Sequence, residues 1–130
     1  RTHLFAHPRL ARAVSYGDWR TRVNLVRPET DMVVDGFHRS ANTYAVNCFL
    51  MANPGSRVSA HLHSPLALYD AQRLGKPMIL LVRDPADAIP SFIQLMPGVS
   101  ARCAIDMWIE YYSEALNRIG HAVVADCGDC

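Results

Sequence analysis

Short apolar runs alternate with longer amphipathic stretches along the chain from residue 31 onward. Apolar runs bounded by polar and turn-forming residues predict β-strands at 32–35, 57–60, 78–82 and 122–125. Apolar residues at helical spacing predict helices at 42–51, 65–74, 84–95 and 101–119. Strands that alternate with helices favour a parallel sheet covered on both faces. We therefore predict an α/β protein with a three-layer αβα architecture around a central parallel sheet.

Several of the predicted helices carry residues that start or stop a helix. Asp84 is placed to cap the helix that Pro85 begins, and Pro90 is expected to kink that helix. Gly75 and Gly120 follow the second and fourth predicted helices, where glycine commonly ends a helix. These residues support the order of elements read from the apolar pattern.

Residues 1–30 have the least regular pattern of the chain. Within them, 8–16 predicts a short helix and 24–27 predicts a short extended piece before Pro28. No internal repeat, low-complexity stretch or linker divides the chain, so we predict that residues 1–130 form a single domain.

The composition is that of an ordinary globular protein, with 50% hydrophobic and 19% charged residues among 130. A formal net charge of +1 gives no overall field that would favour nucleic acid or a membrane surface as a partner, so any anion site must be local. No apolar run approaches the roughly 20 residues that cross a bilayer. We expect a soluble, cytoplasmic protein, although the first residue is Arg1 rather than Met and leaves a leader or anchor upstream open.

The four cysteines do not form the dense pattern of a disulfide-stapled domain. Cys48 and Cys103 lie in apolar helical patterns, so we expect both thiols to be buried. Cys127 and Cys130 have the spacing of a metal or redox pair. No second pair completes a zinc site, and this pair does not open a helix after a strand, so we assign it no role.

The segment 36–43 leaves the first predicted strand and enters a helix. Amide groups of such a loop can converge on an anion at the positive end of the helix dipole, which predicts a phosphate-binding loop. Arg39 would neutralise the anion, while Ser40, Asn42 and Thr43 would donate hydrogen bonds or cap the helix. A polar turn with a good helix cap is the alternative. The loop lacks the glycine spacing and Gly-Lys-Ser/Thr ending of a Walker A motif, which disfavours ordinary ATP or GTP binding.

A second candidate anion site follows the predicted strand 78–82. Arg83 lies at the carboxyl end of that strand, and Ser91 lies eight positions later on the next helix, so both side chains can face one anion. The alternative is an ion pair of Arg83 with Asp84 or Asp87. Two anion sites at the ends of adjacent strands would suit a ligand with two separated phosphate groups.

His61 and His63 stand at the end of the short strand predicted at 57–60. A histidine can accept a proton from an attacking hydroxyl near neutral pH. The same pair would also suit two exposed residues or two metal ligands. No nearby carboxylate or cysteine completes a metal set, so we do not predict a metal site.

These segments together resemble the sulfotransferases that use 3′-phosphoadenylyl sulfate (PAPS). Residues 36–44 read GFHRSANTY, which is similar to the phosphosulfate-binding loop of that family. Residues 80–92 read LLVRDPADAIPSF, which is similar to its second motif. Residues 60–62 lie where the family has its histidine, and 108–112 where it has a Trp-containing helix. The resemblance spans residues 31–126.

The resemblance implies a P-loop-like nucleotide-binding fold. It also implies transfer of a sulfuryl group from PAPS to a hydroxyl or amine of a small-molecule or glycan acceptor, without a metal. Arg39 and His61 match the catalytic positions, with His61 as the base. The matching donor-binding positions are Arg39, Ser40, Ala41, Asn42, Thr43, Arg83 and Ser91.

The chain departs from the family pattern at several positions. Ala41 replaces a glycine, which adds a methyl group beside the phosphate and makes a positive φ harder to adopt. His38 replaces a proline, and residues 59–60 are Ser-Ala where the family often has Lys-Thr. The family also continues beyond the point matched by Cys130, which implies a fragment or a divergent member. A catalytically inactive PAPS- or phosphate-binding module, a P-loop nucleotide kinase relative and a structural domain therefore remain open.

Overall fold

A computed structural model of the chain describes residues 24–129. Four strands lie within these residues: β1 (Met32–Gly36), β2 (Val58–Ala60), β3 (Met78–Val82) and β4 (Val123–Asp126). The same part of the chain contains four α-helices, α1 (Asn42–Ala52), α2 (Pro65–Arg73), α3 (Pro85–Leu95) and α4 (Ala101–Arg118). A short 3₁₀ turn, Cys127–Asp129, follows β4. The strand and helix order predicted from residue 31 onward is confirmed, with ends that move by at most one residue.

The four strands form one parallel sheet in the order β2-β1-β3-β4. From β1 the chain goes to β2 at one edge of the sheet and then crosses back over β1 to β3. From β3 it continues to β4 at the opposite edge. The order therefore reverses between β1 and β3, and the carboxyl ends of these neighbouring strands form the crevice where ligands bind in open α/β sheets. The α/β prediction is confirmed by this arrangement.

The helices cover both faces of the sheet. Right-handed crossover connections in this strand order put α1 on one face and α2, α3 and α4 on the other. The contacts agree, because α1 packs on β1 and β2, whereas α4 packs against both α2 and α3. The arrangement is compatible with the predicted three layers.

The main core lies between the sheet and the three-helix face. Its largest buried side chains include Tyr111, Phe92, Leu68 and Leu80. Phe37 comes from the loop after β1 and also enters this core, with its ring 5.3 Å from that of Phe92 and edge-on to it. The loop is thus anchored by its own side chain, which fixes where the following polar residues lie.

Local capping sets the starts of three helices. Asp84 accepts a hydrogen bond from the amide of Ala86 at 2.7 Å, as predicted, and Pro85 opens α3. Ser64 and Ser100 cap α2 and α4 in the same way. The start of α1 differs, because Ala41 stands at the capping position and no side chain caps the helix.

Three sequence predictions need comment. The expected burial of Cys48 and Cys103 is wrong: Cys48 is exposed and Cys103 is half-buried. In α1 the only buried residue is Asn42, so an apolar pattern there does not place a thiol in the core. Residues 24–27 form no regular element, although Leu25 and Val26 are buried. The helix predicted at 8–16 and Cys130 lie outside the described residues.

None of the helices within residues 24–129 is long and apolar enough to cross a membrane.

Candidate functional site

A cleft of about 360 Å³ opens at the carboxyl ends of β1 and β3. It is formed by the loop after β1, the first turn of α1, the segment after β2 and the end of β3. The residues that line it are His38, Arg39, Ala41, Asn42, Thr43, Tyr44, His61, His63, Arg83 and Leu95. No acidic residue is among these described lining residues, and two are arginines. The cleft is therefore suited to an anion.

The backbone around the cleft adopts an unusual conformation at four residues. Arg39 and Ala41 have φ values of 67° and 57°. His61 and His63 have φ values of 62° and 48°. A left-handed conformation costs a residue with a Cβ about 1–2 kcal/mol, and such strain concentrates at binding and catalytic sites. The positive φ expected to be difficult for Ala41 is adopted nonetheless.

The amino end of α1 points a partial positive charge at the cleft. Ala41 offers no capping oxygen, and the first turn contains no acidic residue. The amides at the start of a helix need acceptors from outside it, and an anion is a suitable one. The polar cap predicted from Ser40, Asn42 and Thr43 is absent, because no side chain accepts a capping bond here.

Arg83 and Arg39 lie close together at the ends of the two adjacent strands. The Arg83 Nη1 atom donates to the backbone oxygen of Arg39 at 2.9 Å. The Arg39 Nε atom donates to the Ser91 hydroxyl at 2.7 Å. The predicted first and second anion sites are therefore linked directly. Within the described residues Arg83 forms no ion pair with Asp84 or Asp87, so its charge is not neutralised there.

Tyr112 holds the loop after β1 from behind. Its hydroxyl donates to the Leu81 carbonyl at 2.8 Å and lies 3.3 Å from the Ser40 hydroxyl. The Phe37 amide donates to the same hydroxyl at 3.4 Å. Burial raises the pKa of Tyr112, so the hydroxyl keeps its proton. Ser40 is fully buried and faces Tyr112, so this predicted donor-binding hydroxyl does not line the cleft.

Asp35 ties the segment after β2 to the loop after β1. Its carboxylate accepts bonds from the amides of Gly36 at 3.0 Å, His63 at 3.2 Å and Ser64 at 3.5 Å. Complete burial raises its pKa from 3.8 to about 7, although the three amides lower it. Sequence reasoning did not assign Asp35 a role. The available signal was an acidic residue inside an otherwise apolar strand.

The histidine rings of the cleft stack on one another. The His38 ring lies 4.1 Å from the His63 ring and 4.8 Å from the Phe92 ring. Burial, with a smaller contribution from the neighbouring His63, lowers the pKa of His38 to about 4. His38 is therefore neutral near pH 7 and acts as an aromatic spacer between His63 and Phe92.

The cleft thus gathers Arg39, Ala41, Asn42, Thr43, His61 and Arg83 from the predicted site residues. Ser91 is not among the lining residues, but its hydroxyl accepts a hydrogen bond from Arg39, which is. Ser40 supports the loop from behind. Within the described residues, no group of three or more His, Cys, Asp or Glu side chains could hold a metal ion.

The chain matches no protein-family model, no curated protein and no solved structure. The geometry and chemistry of the cleft are therefore the basis for assigning a function.

Proposed function

We propose that the cleft binds PAPS and that the protein transfers its sulfuryl group to a hydroxyl or amine acceptor. The observation that carries the proposal is the cationic crevice between β1 and β3. There an uncapped helix start and two guanidinium groups occur together, with no acidic residue among the described lining residues. A volume of about 360 Å³ is within the range of small-molecule sites.

The charge distribution suits a donor with two separated anionic groups. Arg39 and the amino end of α1 would hold the phosphosulfate portion, and Arg83 with Ser91 would hold the 3′-phosphate. The bond from Arg83 to the Arg39 carbonyl supports a shared role, because Arg83 then helps to hold the loop that carries Arg39. A P-loop-like arrangement of β1, loop and α1 is part of this proposal.

PAPS supplies an activated sulfuryl group when bound. The chain would contribute positioning and electrostatic stabilisation, as in phosphoryl transfer. Arg39 and the loop amides would stabilise negative charge on the bridging oxygen of the leaving phosphate. A histidine of the segment after β2, where the resemblance assigns His61, would accept the acceptor proton. We expect transfer to proceed in EDTA, because these groups provide the positive charge.

The experiment is transfer of ³⁵S from labelled PAPS to a mixture of phenols, alcohols and amines, with EDTA present. Arg39→Ala is the inactive reference, and Arg102→Ala on the exposed face of α4 removes the same charge outside the cleft. The proposal predicts labelled products from the wild type and Arg102→Ala, but not from Arg39→Ala. If the wild type binds the donor but yields no labelled product with any acceptor, the chain would instead be a binding module. Mg-dependent ATP binding would favour the kinase relative.

A further inference from the structure

The two cleft histidines that follow β2 differ sharply in how they are held. His61 is exposed, and its described contact is a ring contact with His63 at 5.9 Å. His63 is half-buried, and its Nδ1 atom lies 3.0 Å from the Gly36 carbonyl oxygen. The Asn42 amide nitrogen also lies 3.4 Å from Nδ1, but it donates to the carbonyls of Gly36 and Phe37, at 3.5 and 3.4 Å. The Gly36 carbonyl is closer to Nδ1 and can only accept, so Nδ1 carries the proton and Nε2 carries the lone pair. The ring of His63 therefore has one fixed tautomer.

The acceptor atom of that tautomer reaches open space. Nε2 forms no hydrogen bond within the described residues, and it is not among their buried atoms that lack a partner. His63 lines the same cleft as Arg39 and Arg83. Its ring is also tied to Gly36, at the root of the loop that carries Arg39. His63 thus brings a neutral nitrogen base to the lining of the cleft where the donor would lie.

Several independent contacts hold the ring in this position. The His63 amide donates to Asp35, and one ring face stacks on His38. The backbone φ of 48° is maintained although it is unfavourable for histidine. Such over-determination is what a base needs, because proton transfer depends on a heavy-atom distance of about 2.6–3.2 Å being reproducible. His61 shares the left-handed backbone, but its side chain forms no hydrogen bond within the described residues.

We propose that His63, through Nε2, accepts the proton of the acceptor hydroxyl, in place of His61. This inference rests on the proposed function. The acceptor oxygen forms the new O–S bond as its proton moves to Nε2, and the bond from sulfur to the bridging oxygen breaks. The electron pair stays on the 5′-phosphate of adenosine 3′,5′-bisphosphate. His63 then releases the proton to solvent and keeps its Nδ1 proton on Gly36.

The electrostatic surroundings keep His63 neutral. Burial lowers its pKa, the bond to Gly36 raises it and the neighbouring His61 lowers it further. The other titratable or charged groups around the ring are Asp35, His38, Arg39 and Arg83. We expect the rate to fall on the acid side only, as Nε2 becomes protonated.

The variant pair His63→Asn and His61→Asn separates the base from a structural role. Asparagine tolerates a left-handed backbone, and its amide can replace Nδ1 as donor to Gly36, but it offers nothing at the position of Nε2. The rates are measured with 2-naphthol, which is protonated at pH 8, and with 4-nitrophenol, which is largely ionised. We expect His63→Asn to lose on the order of 10²–10⁴-fold with 2-naphthol, far less with 4-nitrophenol, and more than His61→Asn.

Imidazole ¹H–¹⁵N NMR of the full chain provides a readout that does not depend on turnover. The inference predicts a His63 protonated at Nδ1 and unprotonated at Nε2 at neutral pH, and the opposite tautomer would overturn it. Equal losses with both phenols, or a larger loss in His61→Asn, would overturn the base assignment while the proposed function stands. No transfer by the wild type to either phenol or to the wider mixture of alcohols and amines, with the expected tautomer present, would overturn the proposed function and the base together.

Discussion

Replacing Ala41 with glycine should stabilise the protein, although glycine in the interior of a helix usually destabilises it. Ala41 has φ 57° and ψ 26°, a left-handed conformation that costs a residue with a Cβ about 1–2 kcal/mol. Glycine removes that cost but gives the unfolded chain about 0.4–1 kcal/mol of extra entropy. The net expected gain for Ala41→Gly is therefore about 0.5–1 kcal/mol, or about 3 °C in Tm.

The matched control is Ala45→Gly, three residues into the body of the same helix. Ala45 is half-buried, and its amide makes the first turn's bond to the Ala41 carbonyl at 3.0 Å. Glycine at such an interior position should cost about 1 kcal/mol. Urea unfolding followed by far-UV circular dichroism measures both changes. Equal destabilisation by the two substitutions would refute the left-handed assignment at Ala41 and the strained loop built on it.

Three further predictions concern buried polar groups near the cleft. Tyr112→Phe should lower the unfolding free energy by about 1–3 kcal/mol, because it removes the hydroxyl that joins the loop to Leu81; Tyr111→Phe should cost little, since that buried hydroxyl has no described partner. The Asp35 pKa is raised from 3.8 to about 7, so its stabilising contribution is full below about pH 4 and is lost as pH rises to about 7. The urea midpoint of the wild type minus that of Asp35→Asn should therefore fall as pH rises through that window. A difference that rises with pH would contradict a buried neutral acid. The His38 pKa is lowered to about 4, so the wild type should lose stability as pH falls from about 6.5 to about 4, and His38→Phe should lose less while keeping the ring stack.

The fold from residue 31 onward could be predicted because local chemistry marks each element. A β-branched run, a polar loop and helical spacing define β1 and α1, and Asp84-Pro85 starts α3 as expected. The exposure of Cys48 could not be predicted in this way. Periodicity shows which residues share a helix face, but it does not show how much of that face another layer covers.

The candidate site could be predicted only in part. The loop and Arg83 could be predicted as site residues because both follow strands, and parallel strands end at one edge of the sheet. The direct contacts of Arg39 with Ser91 and of Arg83 with the loop carbonyl depend on side-chain geometry. Tyr112 lies in a helical apolar pattern typical of core residues, and only its position behind the loop shows that its hydroxyl anchors it.

The histidines illustrate the same limit. Their positions in sequence favoured His61, where the resemblance implies a base, over His63. The tautomer of His63 follows from its distance to a backbone carbonyl 27 residues earlier in the chain. No local pattern carries that information, because the contact is set by the pairing of β1 with β2.

The measurement that tests the central claim most directly is calorimetric titration of adenosine 3′,5′-bisphosphate into the wild type, Arg83→Ala and Arg102→Ala, with ATP as the comparison ligand. A guanidinium bond to phosphate contributes about 1.5–3 kcal/mol, so Arg83→Ala should weaken binding by roughly 10–100-fold. Arg102→Ala, on the exposed face of α4, should stay within about twofold of the wild type. The account predicts micromolar binding of the bisphosphate and none of ATP. Absent binding of the bisphosphate, or equal binding by the three proteins, would contradict an anion-binding cleft between β1 and β3.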